Sequence, residues 1–375
     1  MTNLSYSTQH IEQDDIDGVI EVLKSCCLAQ GKKVEEFEKA LCKYTGTKHA
    51  ITFNSATSAL FGAYSVSGIN EGDEIITSPI SFVSTSNMFI ELGAKPIWCD
   101  VKMDGNIDED KIEELITNKT KAIVPIHFAG KPVEIKKIYS IAKKHNLMVI
   151  EDAAHALGSS INGKKVGSFS DMTIFSFHAI KPITTSEGGA VLTDNDEYAK
   201  ELRLIRSHGM VKKDLWQSDM VSLGYNFRMT EVAGSLGVSQ LKKLDNFIEK
   251  RNIVASYYDQ RFKNEKLFSI INLEENSISS RHLYPILLVP ELHSFKEDIF
   301  KELQESGLGV QVHYRPIYKN SFYKKRFGEV LLPAADNFYK SEISIPCHQQ
   351  MTLDDAQFVA EKVLNILAKY KTNDS

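Results

Sequence analysis

The chain has 375 residues and a net charge of −5, and 42% of its residues are hydrophobic and 25% are charged. A chain of this length can bury a large core without disulfides or metals, and it predicts two domains, or one large domain with an appendage. The acidic balance argues against general nucleic-acid binding, and no stretch approaches the roughly 20 apolar residues that span a bilayer.

The N-terminus and the cysteines indicate a compartment. The first residues are polar and lack the basic and apolar regions of a signal peptide. The cysteines are scattered, odd in number and without Cys-x-x-Cys spacing: Cys26, Cys27, Cys42, Cys99 and Cys347. This pattern is not that of a disulfide framework, so we expect a protein of the reducing cytoplasm. No His/Asp/Glu cluster has the spacing of metal ligands, so we expect no metal site.

Apolar runs alternate with helical stretches from residue 48 onward, which is typical of a parallel sheet with right-handed crossovers. The predicted strands span 49–53, 74–77, 96–99, 122–125, 147–150, 172–175 and 189–193. The predicted helices span 56–67, 83–92, 108–116, 133–144 and 229–262. A smaller α/β unit follows, with strands at 282–288 and 309–313 and a helix at 296–306. We therefore expect an N-terminal helix or arm (1–30), a large domain (31–262) and a small C-terminal domain (263–375).

Two charged residues follow predicted strands, at the edge where α/β sheets bind ligands. Asp152 directly follows an apolar run, and it is either a helix N-cap or a fixed anion that holds a cationic ligand atom. Lys181 precedes Pro182, which favours an irregular segment. Its amine either extends to the surface or, if it is desolvated, is a neutral amine that can form a Schiff base.

Two other strand ends carry residues that suit a phosphate and a flat ring. Residues 54–60 open a helix with small hydroxyl side chains, whose free backbone N–H groups suit a phosphate, although a simple Ser/Thr cap has the same pattern. Phe82 either stacks on a flat ring or fills the core. A phosphate cradle, an aromatic ring, an acid and a lysine at one sheet edge together indicate pyridoxal phosphate (PLP).

Four longer strings carry a resemblance to a known family: FNSATSAL (53–60), IEDAAHALG (150–158), FSFHAIKPITTSEGGA (175–190) and LGYNFRMTE (223–231). Over nearly its whole length the chain resembles the DegT, DnrJ, EryC1 and StrS sugar aminotransferases, which are PLP enzymes. The resemblance implies the α/β architecture of aspartate aminotransferase (fold type I), with a mostly parallel central sheet in a large domain and a smaller C-terminal α/β domain. Relatives that dehydrate sugars have His in place of Lys181, so transamination is favoured. Ser186 replaces a glycine of many members, and we expect it to affect turn flexibility more than chemistry.

The resemblance also implies roles for individual residues. The positions with catalytic roles are Lys181, Asp152 and His155. The cofactor-binding positions are Thr57, Ser58, Phe82, Asp152, His155, Ser176, Lys181 and Asn226, the last supplied by the neighbouring subunit of a homodimer. The substrate-binding positions are Tyr6, Cys26, Cys27, Leu28, Ala29, Gln311, Val312, His313 and Tyr314. Small buried fillers are the alternative interpretation for the two cysteines, and a packed domain junction is the alternative for His313 and Tyr314.

Three more strings, SSRHLYPILL (279–288), GVQVHYRPIY (309–318) and SIPCHQ (344–349), most resemble family members of pseudaminic acid synthesis. The implied reaction is transamination of the C4 keto group of a UDP-linked 2-acetamido-2,6-dideoxy-hexos-4-ulose of β-L-arabino configuration, with glutamate as amino donor. Another nucleotide 4-keto-6-deoxy sugar, such as the D-xylo bacillosamine precursor, is the alternative substrate. A PLP-binding regulator without turnover is disfavoured, because the chain has neither excess basic charge nor spare length for a DNA-binding module.

Overall fold

The computed structural model describes residues 4–370 of the chain, in which helices surround a seven-stranded sheet. The α-helices in this range are α1 (Gln13–Lys24), α2 (Lys32–Thr45), α3 (Ala56–Val66), α4 (Ser84–Glu91), α5 (Ile135–Lys144), α6 (Asp196–Arg206), α7 (Glu231–Phe262), α8 (Lys296–Glu305), α9 (Ser321–Phe327), α10 (Pro333–Ser341) and α11 (Leu353–Ala368). None of these helices is long and apolar enough to cross a membrane.

The strands of the described range belong to one large sheet and several small ones. They are β1 (His49–Phe53), β2 (Glu74–Thr77), β3 (Lys95–Trp98), β4 (Thr120–Val124), β5 (Met148–Asp152), β6 (Ser160–Ile161), β7 (Lys164–Lys165), β8 (Met172–Ser176), β9 (Gly189–Thr193), β10 (Met210–Lys212), β11 (Ser218–Met220), β12 (Phe268–Ile270), β13 (Ser277–Ile278), β14 (Tyr284–Leu288) and β15 (Glu342–Ile345). The large sheet has the order β1-β9-β8-β5-β4-β2-β3.

The large sheet is parallel except at β9. Neighbouring strands from β8 through β5, β4 and β2 to β3 pair in parallel, and β9 pairs antiparallel with both β1 and β8. Strand β1 therefore runs in the same direction as β8, and the carboxyl ends of β1, β2, β5 and β8 lie at one edge. Strands β8 and β9 are buried throughout, as expected for a sheet covered on both faces. The mostly parallel α/β sheet predicted from the sequence is confirmed.

Two of the predicted elements are wrong. The segment 108–116 forms two short 3₁₀ turns, Glu109–Lys111 and Glu113–Leu115, in place of one helix. The Asp108 carboxylate accepts the backbone N–H of Asp110 at 3.2 Å, and this local bond competes with helix formation. The segment 309–313 is not a strand, because it pairs with β15 only at a bridge between Gln311 and Ser344. Its other backbone donors go elsewhere, since the Gly309 N–H donates to Leu4 and the His313 N–H donates to the Glu342 carboxylate.

A second hydrophobic cluster surrounds the small sheet β12-β14-β15 and includes the C-terminal half of α7 and helix α11. We propose that the chain divides near Phe262, where α7 ends, although Leu283 and Leu287 pack into the cluster of the large sheet. Helix α1 packs on α7, where the Lys243 Nζ contacts the carboxylates of two residues of α1 at 2.6 and 2.8 Å. The ends of the predicted arm and of the predicted C-terminal domain, residues 1–3 and 371–375, lie outside the described range.

Candidate active site

The carboxyl edge of the large sheet gathers the side chains that the strand ends were expected to bring together. Asp152 is the last residue of β5, and Ser176 is the last residue of β8. Lys181 lies in the loop after β8, and Phe82 lies in the loop between β2 and α4. Helix α3 begins three residues after the end of β1. Because these strands share one direction, the loops that follow them surround one site.

The start of α3 forms an N-cap and also leaves donors free. Ser55 is the N-cap: its Oγ accepts the Ser58 N–H at 3.1 Å, and the Ser58 Oγ lies 3.2 Å from the Ser55 nitrogen. The Ser58 hydroxyl also donates to Asn54 Oδ1 at 2.6 Å. The backbone N–H groups of Ala56 and Thr57 have no partner within the helix, since the first turn lacks acceptors. The cap is therefore real, and free N–H groups remain beside it for an anion.

Gly189 lets β9 reach the start of α3. A Cβ atom at this position would lie 2.6 Å from the Cα and nitrogen of Ala56, which is closer than real Cβ atoms come to backbone. Gly189, the first residue of β9, is thus needed for the close contact that fixes the cradle. Ser186, three residues earlier, has a φ of 69°, in the left-handed region that favours glycine. Glycine would adopt this conformation at lower cost than serine.

Asp152 is held as a buried acceptor. It is 5% exposed, and its Oδ2 accepts a hydrogen bond from Thr85 Oγ1 at 2.6 Å. Its Oδ1 accepts the Ala154 N–H at 3.1 Å, and no helix lies between the end of β5 at Asp152 and the start of β6 at Ser160. The helix N-cap interpretation is therefore wrong. Thr85 is a member of the site that the sequence analysis missed, because its position in α4 gives no motif.

Lys181 points inward. Its Nζ lies 3.4 Å from His282 Nε2, and His282 is 1% exposed. Burial lowers the pKa of Lys181 to about 8, against the opposing attraction of the Asp152 carboxylate. The interpretation as a surface lysine is therefore wrong. His282 lies just before β14, and the sequence signal for it was only its place in the string SSRHLYPILL.

Three buried histidines surround the amine: His155, His282 and His313. The rings of His155 and His282 have centroids 4.4 Å apart, and His155 Nε2 lies 3.2 Å from the Tyr314 Oη. Burial and the nearby Lys181 charge lower the pKa of each histidine, to about 3 for His313. All three rings are neutral near pH 7, so they can accept as well as donate hydrogen bonds.

Phe82 lies at the entrance of the site. Its side chain is 59% exposed, and its ring centroid lies 6.4 Å from that of Tyr314 in an edge-to-face arrangement. A core position is therefore excluded for Phe82. An exposed aromatic ring next to Tyr314, whose Oη lies 3.2 Å from His155 Nε2, suits the stacking of a flat ring in this site.

The residues predicted to contact substrate divide into two groups. Tyr6 and Tyr314 flank His313, with ring centroids 5.3 and 4.8 Å from it, and Gln311 and Val312 immediately precede it. The stretch Cys26, Cys27, Leu28 and Ala29 follows α1 and pairs with the start of α7, where Leu28 accepts the Glu231 N–H at 3.0 Å. No contact among the described residues joins this stretch to Lys181. Cys26 is exposed, so its interpretation as a buried filler is wrong.

Asn226 lies close to the cradle on the same chain. Its carbonyl oxygen is 3.4 Å from the Asn54 side-chain nitrogen, and its own side chain is exposed. Ser176, also predicted to contact a phosphate, is 5% exposed, and its Oγ accepts the His178 N–H at 3.4 Å.

The arrangement fits PLP. The cofactor needs phosphate donors, a ring-stacking aromatic, an anion for its pyridine nitrogen and a lysine amine, and the site offers each at one sheet edge. Two buried ring nitrogens, His155 Nδ1 and His282 Nδ1, have no hydrogen-bond partner among the described residues. Buried polar atoms of this kind usually have a partner, so a bound group that supplies one is consistent with the site.

Comparison with known proteins gives concordant results. Residues 9–364 match the model of the DegT/DnrJ/EryC1/StrS aminotransferase family. The chain is 53% identical over 371 residues, 98% of each chain, to the UDP-4-amino-4,6-dideoxy-N-acetyl-beta-L-altrosamine transaminase of Campylobacter jejuni. Its fold is similar to that of Helicobacter pylori PseC, an aminotransferase involved in pseudoaminic acid biosynthesis, with a TM-score of 0.97, 44% identity, and coverage of 98% of this chain and 100% of that one.

A more distant structure shows the same fold with the cofactor. The PLP form of a putative sugar aminotransferase of Streptococcus pneumoniae matches with a TM-score of 0.94 and 29% identity, over 99% of this chain and 100% of that one. Since the family match extends over nearly the whole chain and includes the site, the protein belongs to the DegT/DnrJ/EryC1/StrS aminotransferase family and depends on PLP.

Proposed function

We propose that this protein transfers an amino group from glutamate to the C4 keto group of UDP-linked 2-acetamido-2,6-dideoxy-β-L-arabino-hexos-4-ulose. The product is UDP-4-amino-4,6-dideoxy-N-acetyl-β-L-altrosamine, an intermediate of pseudaminic acid synthesis. The observation that carries the amino-transfer chemistry is the inward-pointing Lys181 side chain at the carboxyl edge of the sheet, whose Nζ lies 3.4 Å from the buried His282. The sugar is proposed from the similarity to the Campylobacter jejuni transaminase, which covers 98% of both chains.

The cofactor is held by residues from four loops. The free N–H groups at the start of α3, together with Thr57 and Ser176, would hold its phosphate, and Phe82 would stack on its pyridine ring. Ser58 would join the phosphate contacts by exchanging its bond to Ser55 or Asn54. Asp152 would pair with the pyridine nitrogen, and His155 would lie near the ring. When bound, PLP supplies an electron sink for the carbon that loses its proton. The Thr85 hydroxyl keeps the Asp152 carboxylate in place, since it donates a hydrogen bond to Oδ2 at 2.6 Å.

Lys181 moves the proton. An amine with a pKa of about 8 is partly neutral near pH 7, and only the neutral form can bond covalently to the cofactor or accept a proton. Its Nζ would take the proton from the Cα of the amino donor and deliver it to the cofactor within the same half-reaction, acting first as base and then as acid. In the second half-reaction the same steps would run in reverse, and the proton would be delivered to C4 of the sugar. His282 Nε2, 3.4 Å away, accepts a hydrogen bond from this amine and orients it. Because the three histidines are neutral, they add no positive charge next to the amine.

The site is completed by a second copy of the chain. Asn226 is proposed to contact the phosphate bound by the partner, as the family resemblance implies. Its exposed side chain and the exposed apolar residues nearby on the β10–β11 hairpin, with Leu215 84% and Trp216 85% exposed, support an interface at this face. Mixing the inactive variants Lys181→Ala and Asn226→Ala tests this directly. Hybrid dimers contain one site with both wild-type residues, so activity returns on mixing if the site is shared and stays absent if it is not.

The substrate is tested in a single-turnover experiment. The holoenzyme is incubated with glutamate, the donor is removed, and the two C5-epimeric UDP-4-keto-6-deoxy-N-acetyl sugars are added separately. Amino sugar is then measured by mass spectrometry. Product from the L-arabino ketone alone supports the proposal, whereas product from the D-xylo ketone alone assigns the enzyme to the bacillosamine precursor. Product from neither, after 2-oxoglutarate has formed from glutamate, excludes both sugars.

The reaction is proposed to occur in the cytoplasm. The five cysteines are all free, which suits a reducing compartment.

A further inference from the structure

A buried chain of hydrogen bonds runs from β15 to His313. The Glu342 carboxylate is 0% exposed, and its Oε2 accepts the His313 backbone N–H at 2.7 Å. Its Oε1 accepts a hydrogen bond from the Ser344 hydroxyl at 2.5 Å. The Ser344 oxygen lies 2.9 Å from His313 Nδ1. The carboxylate therefore holds both the backbone and, through Ser344, the ring of a residue that faces the proposed sugar site.

The protons of this chain can be assigned by elimination. A serine hydroxyl carries one hydrogen, and an ionised carboxylate can only accept. When Glu342 is ionised, the Ser344 hydrogen is therefore used on Oε1, and the contact with His313 requires a hydrogen on Nδ1. A neutral imidazole carries one ring hydrogen, so Nε2 then has a free lone pair. His313 Nε2 makes no hydrogen bond within residues 4–370, and the rings of Tyr6 and Tyr314 flank the imidazole.

We propose that Glu342 and Ser344 are positioning residues that set the tautomer of His313, so that its Nε2 accepts a hydrogen bond from the sugar substrate. The inference rests on the proposed function, since it deepens the role of His313 in that site. The sugar proposed above offers a ring hydroxyl and an acetamido N–H as donors. A substrate with an acceptor at the matching place would leave the Nε2 lone pair unpaired, which disfavours binding.

The donor–acceptor direction of the hydrogen bonds from Glu342 to His313 depends on the charge of Glu342. Burial raises the pKa of this carboxyl, and the ammonium of Lys296, from α8, opposes the increase. Tyr314 and His313 also face it, and Lys181 adds positive charge near His313. A protonated Glu342 would carry its hydrogen on Oε1, because Oε2 accepts the His313 N–H. Ser344 would then donate to His313 Nδ1, and the ring hydrogen would lie on Nε2.

Neutron diffraction of the perdeuterated holoenzyme tests the assignment without relying on activity. In alkaline crystals, where Glu342 is ionised, deuterium is expected on His313 Nδ1 and not on Nε2. His127 is an internal reference in the same map. Its Nδ1 accepts the Val133 N–H at 3.2 Å and its Nε2 faces Glu151 at 2.7 Å, so its deuterium is expected on Nε2. Deuterium on His313 Nε2 in these crystals would overturn the proposal.

The variant Glu342→Gln reverses the donor–acceptor direction of these hydrogen bonds. Its amide oxygen must accept the His313 N–H, so its NH₂ donates to Ser344 and the His313 hydrogen moves to Nε2. We expect this variant to show deuterium on Nε2, and its KM for the sugar to increase about tenfold with a small change in kcat. The glutamate half-reaction is expected to stay unchanged. An unchanged tautomer in this variant would contradict the proposal.

Two serine variants separate positioning from packing and cover the case in which Glu342→Gln does not fold. Ser344→Ala breaks the chain and is expected to raise the KM for the sugar by a similar factor. Ser341→Ala is the matched control, since Ser341 is also buried and lies 2.9 Å from a histidine, His293, outside the site. Equal effects of the two variants on KM would refute the role of Ser344. If neither sugar epimer is a substrate, the proposed function fails, while the neutron result still decides the tautomer.

Discussion

Replacing Lys181 with methionine is expected to stabilise the cofactor-free protein. The Lys181 amine is kept in a desolvated site, and its pKa falls from an ordinary 10.5 to about 8 because of burial. Each pH unit of such a displacement corresponds to about 1.4 kcal/mol, so the charged amine costs the folded state up to about 3 kcal/mol at neutral pH. Methionine has a similar length and no charge, so Lys181→Met removes this cost and abolishes turnover.

The sign of the pH dependence follows from the same shift. The folded pKa of Lys181 lies below the unfolded value, so the unfolded chain binds more protons between about pH 8 and 10.5. The contribution of Lys181 to the free energy of unfolding therefore rises as the pH increases through that window in the wild-type protein, and this rise is absent in Lys181→Met. Urea unfolding of the cofactor-free proteins, at one protein concentration and at several pH values, measures both effects.

Lys243 is a control lysine whose pKa is shifted in the opposite direction. Burial lowers its pKa, but the carboxylates of Asp14 and Asp15 raise it by more, and the net shift is upward. Lys243→Met is therefore expected to destabilise the protein at neutral pH. If Lys181→Met is no more stable than the wild type while Lys243→Met is less stable, the Lys181 amine is not desolvated, and the reasoning about its reactivity is refuted.

Two further substitutions test the site, and a third tests a buried guanidinium. Thr85→Val removes the hydroxyl that donates to Asp152 at 2.6 Å, and we expect kcat to fall about tenfold with the fold retained. An unchanged kcat would show that this hydrogen bond does not position the carboxylate. Phe82→Ala truncates an exposed ring, so the free energy of unfolding should change by less than about 0.5 kcal/mol. The Kd for PLP should rise about tenfold, because the stacking contact is lost. Equal PLP affinity of the variant and the wild type in a binding titration would contradict stacking. Arg251→Met removes a fully buried guanidinium that donates to the carbonyls of Arg281 and Cys347 at 3.2 and 2.9 Å. Urea unfolding should show that the free energy of unfolding falls by about 3 kcal/mol. A decrease below about 1 kcal/mol would show that these carbonyls find other donors.

The strands of the large sheet could be predicted because their signal is local. β1, β2 and β9 begin and end at the predicted residues, since apolar runs bounded by polar or small residues specify buried strands. Segment 309–313 has the same pattern and is not a strand. Its backbone donors are taken by Leu4 and by the Glu342 side chain, which are distant in sequence, so no local pattern could reveal the difference.

The site was predictable where residues follow strands and unpredictable where they do not. Asp152 and Lys181 could be found because a parallel sheet brings strand ends together. Thr85 and His282 contact these two residues from a helix and from the C-terminal part of the chain, and such contacts depend on tertiary packing. The alternatives for Asp152, Lys181 and Phe82 could be decided only by burial and hydrogen-bond geometry, which single positions do not encode.

We propose that Lys181 is the residue that binds the cofactor covalently. Borohydride reduction of the holoenzyme makes that bond permanent, and proteolysis followed by mass spectrometry locates it. We predict the cofactor mass on the peptide that contains Lys181, and its absence from the Lys181→Ala protein treated in the same way. The cofactor on a peptide with another lysine, or no labelled peptide from a PLP-loaded and active enzyme, would contradict the account.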